Sequence, residues 1–193
     1  MTPDRLAALI LFAVVATGTP GPNNLMVMAS GANFGLRRTV PHIVGIALGI
    51  AVMLLAVGAG LAGLFEALPW LAGLLAALSL AYLLILAWKI ATAAPPDPSA
   101  PPGRPLTVLQ AAAFQWVNPK AWAMALTTVS VYVPASATPL AAMVFAAVCL
   151  PIVAVWCAAG RALGRMLRNP ARLRAFNVTM AALLVLSPVL VFL

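Results

Sequence analysis

Charge is what this chain has least of. Asp, Glu, Lys and Arg make up 7% of its 193 residues, where a soluble globular domain carries roughly 25%. Only 3 of those residues are acids, namely Asp4, Glu66 and Asp97, and none lies deep in an apolar run. No buried carboxylate is therefore on hand to build a sodium or proton site, or to neutralise a cationic side chain of a ligand. The single histidine, His42, and the two cysteines, Cys149 and Cys157, supply too few ligands for a transition-metal pathway. A disulfide framework has no purpose within one apolar run, where both cysteines fall, so they read as small packing hydrophobes. With no metal, no nucleophile-base pair and no cofactor motif, the composition does not describe an enzyme. The first residues, Met1 to Arg5, hold one acid and one base and lack the positive start of a secretory signal, so the first apolar segment is expected to be retained.

What the chain has instead is apolar surface. At 64% hydrophobic residues it belongs in a lipid bilayer, and its net charge of +8 indicates topology rather than nucleic-acid binding. Runs long enough to cross ~30 Å of hydrocarbon need about 20 helical residues. Six are present: Leu6 to Ser30, His42 to Leu64, Pro69 to Ile90, Val108 to Val133, Pro139 to Leu163, and Phe176 to Leu193. The stretch from Gly31 to Pro41 reads as a loop. A proline-rich cytoplasmic linker at 94–106 is too rich in proline for helix or sheet, and separates a first unit at 1–93 from a second at 107–193. Three spans per unit is an odd number, so the second unit enters the membrane from the opposite face. The expected fold is all-α, with six transmembrane helices as two inverted three-helix repeats.

Loop charges orient this arrangement. Arg37, Arg38, Lys89, Arg104, Arg161, Arg165, Arg168, Arg172 and Arg174 share one face, and Arg5 with Asp4 and Glu66 lies on the other. The nine-residue face is expected to be cytoplasmic and both termini outside. Lys120 is left over, inside the fourth run. His42 reads as a solvated interface histidine, and Trp70, Trp88, Tyr132 and Trp156 as interfacial anchors. The pattern of Gly45 and Gly49 predicts close helix packing.

Two runs are broken at comparable depth, the first at Thr19-Pro20-Gly21-Pro22-Asn23-Asn24 and the fourth at Gln115-Trp116-Val117-Asn118-Pro119-Lys120. Helices 1 and 4 are thus expected to be interrupted. A break inside lipid is tolerated only where it faces protein or a polar cavity. Proline suits the first position of a restarted helix and asparagine suits its cap, so helices should restart at Pro22 and at Pro119. Their N-terminal ends, each the equivalent of about +0.5 charge, would converge on an anionic group such as a carboxylate. Lys120 would add its charge, Gln115 would face the same cavity, and Trp116 and Trp122, which flank the second break, would line it. A bland reading competes: two proline kinks, with Lys120 snorkelling to the interface. Matched breaks with three asparagines and a lysine favour a site formed by Pro20, Gly21, Pro22, Asn23, Asn24, Gln115, Asn118, Pro119 and Lys120.

These motifs resemble a known family. Pro20-Gly21-Pro22-Asn23-Asn24-Leu25, with Ser30 through Thr39 and the spaced Gly45 and Gly49, is similar to the N-terminal signature of LysE-family exporters in their RhtB-like branch. Phe114-Gln115-Trp116-Val117-Asn118-Pro119-Lys120-Ala121 resembles that family's second motif. The resemblance implies a multi-pass transporter of the bacterial cytoplasmic membrane that exports amino acids or related small metabolites on an ion gradient. The missing deep carboxylate tilts the expected substrate towards neutral amino acids such as homoserine, threonine or leucine. The expected partners are that small molecule and the lipid bilayer, with no nucleic acid; a homo-oligomer is compatible with this reading. The alternatives are a non-transporting structural or assembly subunit and a membrane enzyme.

Overall fold

Proline chemistry sets the first two elements of the computed structural model, which describes residues 1–63, 67–92, 103–166 and 169–186. Helix α1 (Pro3–Gly18) begins behind Thr2, whose hydroxyl accepts from the Arg5 amide. A residue that precedes proline is pushed out of the helical region. Thr19 (ψ 148°) and Gly21 (φ 178°, ψ 176°) are both extended in front of Pro20 and Pro22. Helix α2 (Pro22–Phe34) therefore starts afresh, bent 55° from α1.

A single residue joins α2 to α3 (Leu36–Ala56), which runs on as a π-helical turn to Leu61. The loop expected from Gly31 to Pro41 is thus mostly helix. Gly35 takes the whole turn with φ 77°, a conformation that favours glycine, and Pro41 is carried inside α3 on its exposed side. Helix α4 spans Trp70–Ala91. Beyond the linker, Thr107 and Gln110 form a reciprocal capping box that starts α5 (Val108–Gln115). Asn118 is extended before Pro119 and caps α6 (Pro119–Thr127), which a π-helical turn extends to Tyr132. Helices α7 (Thr138–Met166, with Pro151 inside) and α8 (Pro170–Leu186) come last.

Among the described residues every regular element is helical. Leu36–Leu61, Gly73–Ala91 and Thr138–Leu163 are long and apolar enough to cross a membrane, and the bent α1–α2 pair makes a fourth such element. Glu66, Arg168, Pro188 and most of the proline-rich linker lie outside the described residues.

Packing interleaves the two halves of the chain. Helix α7 lies against α1, α2 and α3, while α5 lies on α3 and α8 on α4. Glycines permit the closest of these approaches: a Cβ at Gly31 would run into the Cys157 carbonyl, and one at Gly160 into that of Met28. On α3, Gly45 lies against the Val108 carbonyl and Gly49 against Ala112 and Gln115, as the spacing predicted. The main core gathers Leu9, Val27, Ile46, Met53, Phe145 and Val153. Large apolar side chains also face outward, including Leu11, Val52, Leu84, Trp88 and Val155, an arrangement suited to lipid. Trp70 and Trp88 are exposed. Trp156 and Tyr132 are not: Trp156 donates to the Gly18 carbonyl, and Tyr132 stacks on Phe12 at 4.7 Å. Their polar atoms and ring faces find partners on α1, which sequence position alone does not reveal.

Candidate functional site

The broken helix leaves two opposite electrostatic poles three residues apart. The last carbonyls of α1 form its negative end, and the first amides of α2 form a positive one. Pro22 carries no N–H, so the free donors of the first turn of α2 begin at Asn23 and Asn24. Asn24, 3% exposed, ties the poles together: its Nδ2 donates to the Thr17 carbonyl at 2.7 Å and to the Thr19 carbonyl at 2.8 Å.

The second break meets the first through side chains. Asn23 Nδ2 donates to Gln115 Oε1 at 2.9 Å, and Gln115 Nε2 donates back to Asn23 Oδ1 at 3.1 Å. Gln115 is fully buried and also donates to the Ala111 carbonyl. Its Cγ crosses Gly49 so closely that a Cβ there would come within 2.6 Å. Asn118, 1% exposed, caps α6 by accepting from the Lys120 amide at 3.1 Å. Ala121 and Trp122 donate to the Asn118 carbonyl. The donors at the start of α6 are therefore already engaged, unlike those of α2.

Lys120 Nζ reaches across the chain to the end of α1. It donates to the Thr19 carbonyl and the Thr19 hydroxyl, both at 2.8 Å, and to the Pro20 carbonyl at 3.3 Å. Its stem lies over Gly21, where a Cβ would come 2.9 Å from Cδ and 3.1 Å from Nζ. Glycine at position 21 thus leaves room for the lysine to pass.

Beneath these groups is a cavity of about 20 Å³, enough for roughly one water molecule. Its polar rim is Thr17, Gly21, Asn23, Asn24, Asn118 and Lys120, and its apolar wall includes Ile46, Ile50, Met124, Cys149 and Val153. Five of the nine residues expected at a site line it. Gln115 joins them through Asn23 and Asn118. Pro20 is exposed, Pro22 buried and Pro119 half-buried; these three set the backbone without lining the cavity.

Some expectations need correction. Trp116 and Trp122 pack edge to face at 5.9 Å, with Trp122 Nε1 donating to the Trp116 carbonyl, and neither lines the cavity. His42 is 2% exposed rather than solvated, and neither ring nitrogen has a partner among the described residues. Because α3 begins at Leu36, more than a full turn precedes His42 and carries it into the packed interior. It shares the ridge of α3 with Ile46 and Ile50, which line the cavity. Thr17, Thr19 and Cys149 were missed as site residues. The threonines flanking Gly18 ahead of Pro20 were a local signal for the first two, whereas Cys149 depends on how α7 packs. No group of His, Cys, Asp or Glu among the described residues is arranged to hold a metal.

The model of LysE-type translocators matches residues 13–192. Cysteine/O-acetylserine efflux proteins of Escherichia coli K12 and Shigella sonnei are each 31% identical over the full length of both chains. That of Salmonella typhimurium LT2 is 30% identical over the same extent. No solved structure matches. The broken α1–α2 pair, the apolar exterior and a match across nearly the whole chain agree: this protein belongs to the LysE-type translocator family, whose members are transporters and not enzymes.

Proposed function

We propose that the chain exports small neutral amino acids across the bacterial cytoplasmic membrane by alternating access. The observation that carries this reading is the interrupted α1–α2 helix, whose two poles lie beside asparagine and lysine side chains from the other half of the chain. A zwitterion presents one anionic and one cationic group close together, and the break offers a donor end and an acceptor end three residues apart in the chain. The substrate carboxylate is received at the N-terminal end of α2, whose first amides are free, with Lys120 from the second break as its cationic partner. The ammonium meets carbonyl and asparagine oxygens of the break. The side chain points to Met124, Cys149 and Val153, a wall without a charge, which favours a neutral substrate.

The relatives' substrates add cysteine and O-acetylserine to homoserine, threonine and leucine as candidates. A cavity of about 20 Å³ cannot admit any of them. Loading therefore requires the two halves, residues 1–93 and 107–193, to move apart on one side of the membrane. In this reading the halves are inverted three-helix repeats, completed as six spans by α5 with α6 and by α8. The basic loops lie in the cytoplasm and both termini outside.

Radiolabelled O-acetylserine preloaded into proteoliposomes tests the proposal. Wild-type protein releases it faster than protein-free vesicles, and unlabelled cysteine inside the vesicles competes. Release at the protein-free rate for every neutral amino acid tried would reject the reading.

A further inference from the structure

The geometry points to Thr19 O, Thr19 Oγ1 and Pro20 O as a subsite for a primary ammonium group, which the substrate's α-ammonium enters by displacing that of Lys120. This inference rests on the proposed export function and names the oxygens that recognise one end of the substrate.

The lysine reports the chemistry of the cradle. A primary ammonium has three N–H donors, and Lys120 Nζ finds three oxygens, at 2.8, 2.8 and 3.3 Å. Two are carbonyls of the break just beyond the negative end of α1, so the cradle favours a cation without holding a carboxylate. That suits a carrier, which must release what it binds. The only other donor bonded to these three oxygens among the described residues is Asn24 Nδ2, on Thr19 O. The cradle lies in the three-residue break and the free amides of α2 follow it, so a molecule with adjacent ammonium and carboxylate groups can engage both.

Two cations cannot share these oxygens, since each needs the same acceptors and they repel. When the substrate ammonium arrives, the flexible lysine stem swings off Gly21 and Nζ turns to the incoming carboxylate. The exchange also undoes a tie between the halves, because Lys120 belongs to α6 and the cradle to the break that follows α1. Binding is thereby linked to opening.

Lys120→Ala vacates the cradle and provides the test. Methylammonium should raise the melting temperature of this variant saturably, tetramethylammonium, lacking N–H donors, should not, and neither should affect wild type. O-acetylserine should compete with methylammonium for the variant. A second substitution is added in that background, where no lysine occupies the cradle. Thr19→Val removes one arm of the cradle and should weaken O-acetylserine binding about tenfold, the weight of one charged hydrogen bond. It should leave binding of acetoxypropionate, which has the carboxylate and no ammonium, unchanged. Equal stabilisation by both cations, no stabilisation by either, stabilisation that O-acetylserine does not compete, or equal weakening of both ligands by Thr19→Val would each overturn the assignment. Methylammonium binding does not require transport, so failure of wild-type efflux would reject the export function without touching the cradle.

Discussion

The reciprocal amide pair between Asn23 and Gln115 should hold the two halves of the chain together at the break. The perturbation is a double-mutant cycle with Asn23→Leu and Gln115→Leu, chosen to keep volume while removing both donors and both acceptors. The pair is joined by two bonds of 2.9 and 3.1 Å, and Gln115 is fully buried. A single side-chain hydrogen bond between membrane helices averages roughly 0.6 kcal/mol and reaches about 1.7 kcal/mol. Two parallel bonds between the same side chains should therefore give a coupling energy of roughly 1–2 kcal/mol. Each single variant also leaves its partner unsatisfied, costing about 1–3 kcal/mol, so the double variant should lose less than the sum of the singles. Reversible unfolding in mixed micelles, monitored by tryptophan fluorescence, measures all four corners of the cycle. Additivity within about 0.3–0.5 kcal/mol, the value for independent sites, would show that the amides do not couple.

The packing sets two more outcomes. Gly160→Val forces a side chain against the Met28 carbonyl, a backbone group that cannot turn aside; overpacking of this kind costs about 1–3 kcal/mol. It should lower the melting temperature, whereas Gly73→Ala, with nothing within 4 Å of its Cβ, should not. Asn24→Asp places an acceptor-only carboxylate against the Thr17 and Thr19 carbonyls that now accept from Asn24. Thermal melting in detergent should show a larger loss than for Asn24→Ala, and the reverse order would contradict the bonding described.

The sequence made the breaks legible because their causes are local. Pro20, Pro22 and Pro119 each lack an N–H and force the residue before them into an extended state, and Asn118 has the right side chain to cap the helix that restarts at Pro119. The restarts at Pro22 and Pro119 needed no tertiary information. Glycine spacing likewise exposed the close approach of α3, though not that Gln115 would be the residue crossing Gly49. The partner of Lys120 was out of reach, because it is a carbonyl pair some hundred positions away, and every residue carries a carbonyl. Residues Gly31 to Pro41 misled for a different reason. Several residues that disfavour helix cluster there, yet Gly35 alone absorbs the turn, so the rest stays helical and His42 is drawn inside. Burial of a lone polar residue depends on where its helix begins, and a one-turn error reverses the conclusion.

The central claim is that the two breaks together form the substrate site. It is tested most directly by efflux of radiolabelled O-acetylserine from proteoliposomes containing equal amounts of wild type, Asn118→Ala and Lys120→Ala. The account predicts that both variants lose net efflux while remaining as abundant and monodisperse as wild type. Unimpaired efflux in both would contradict it.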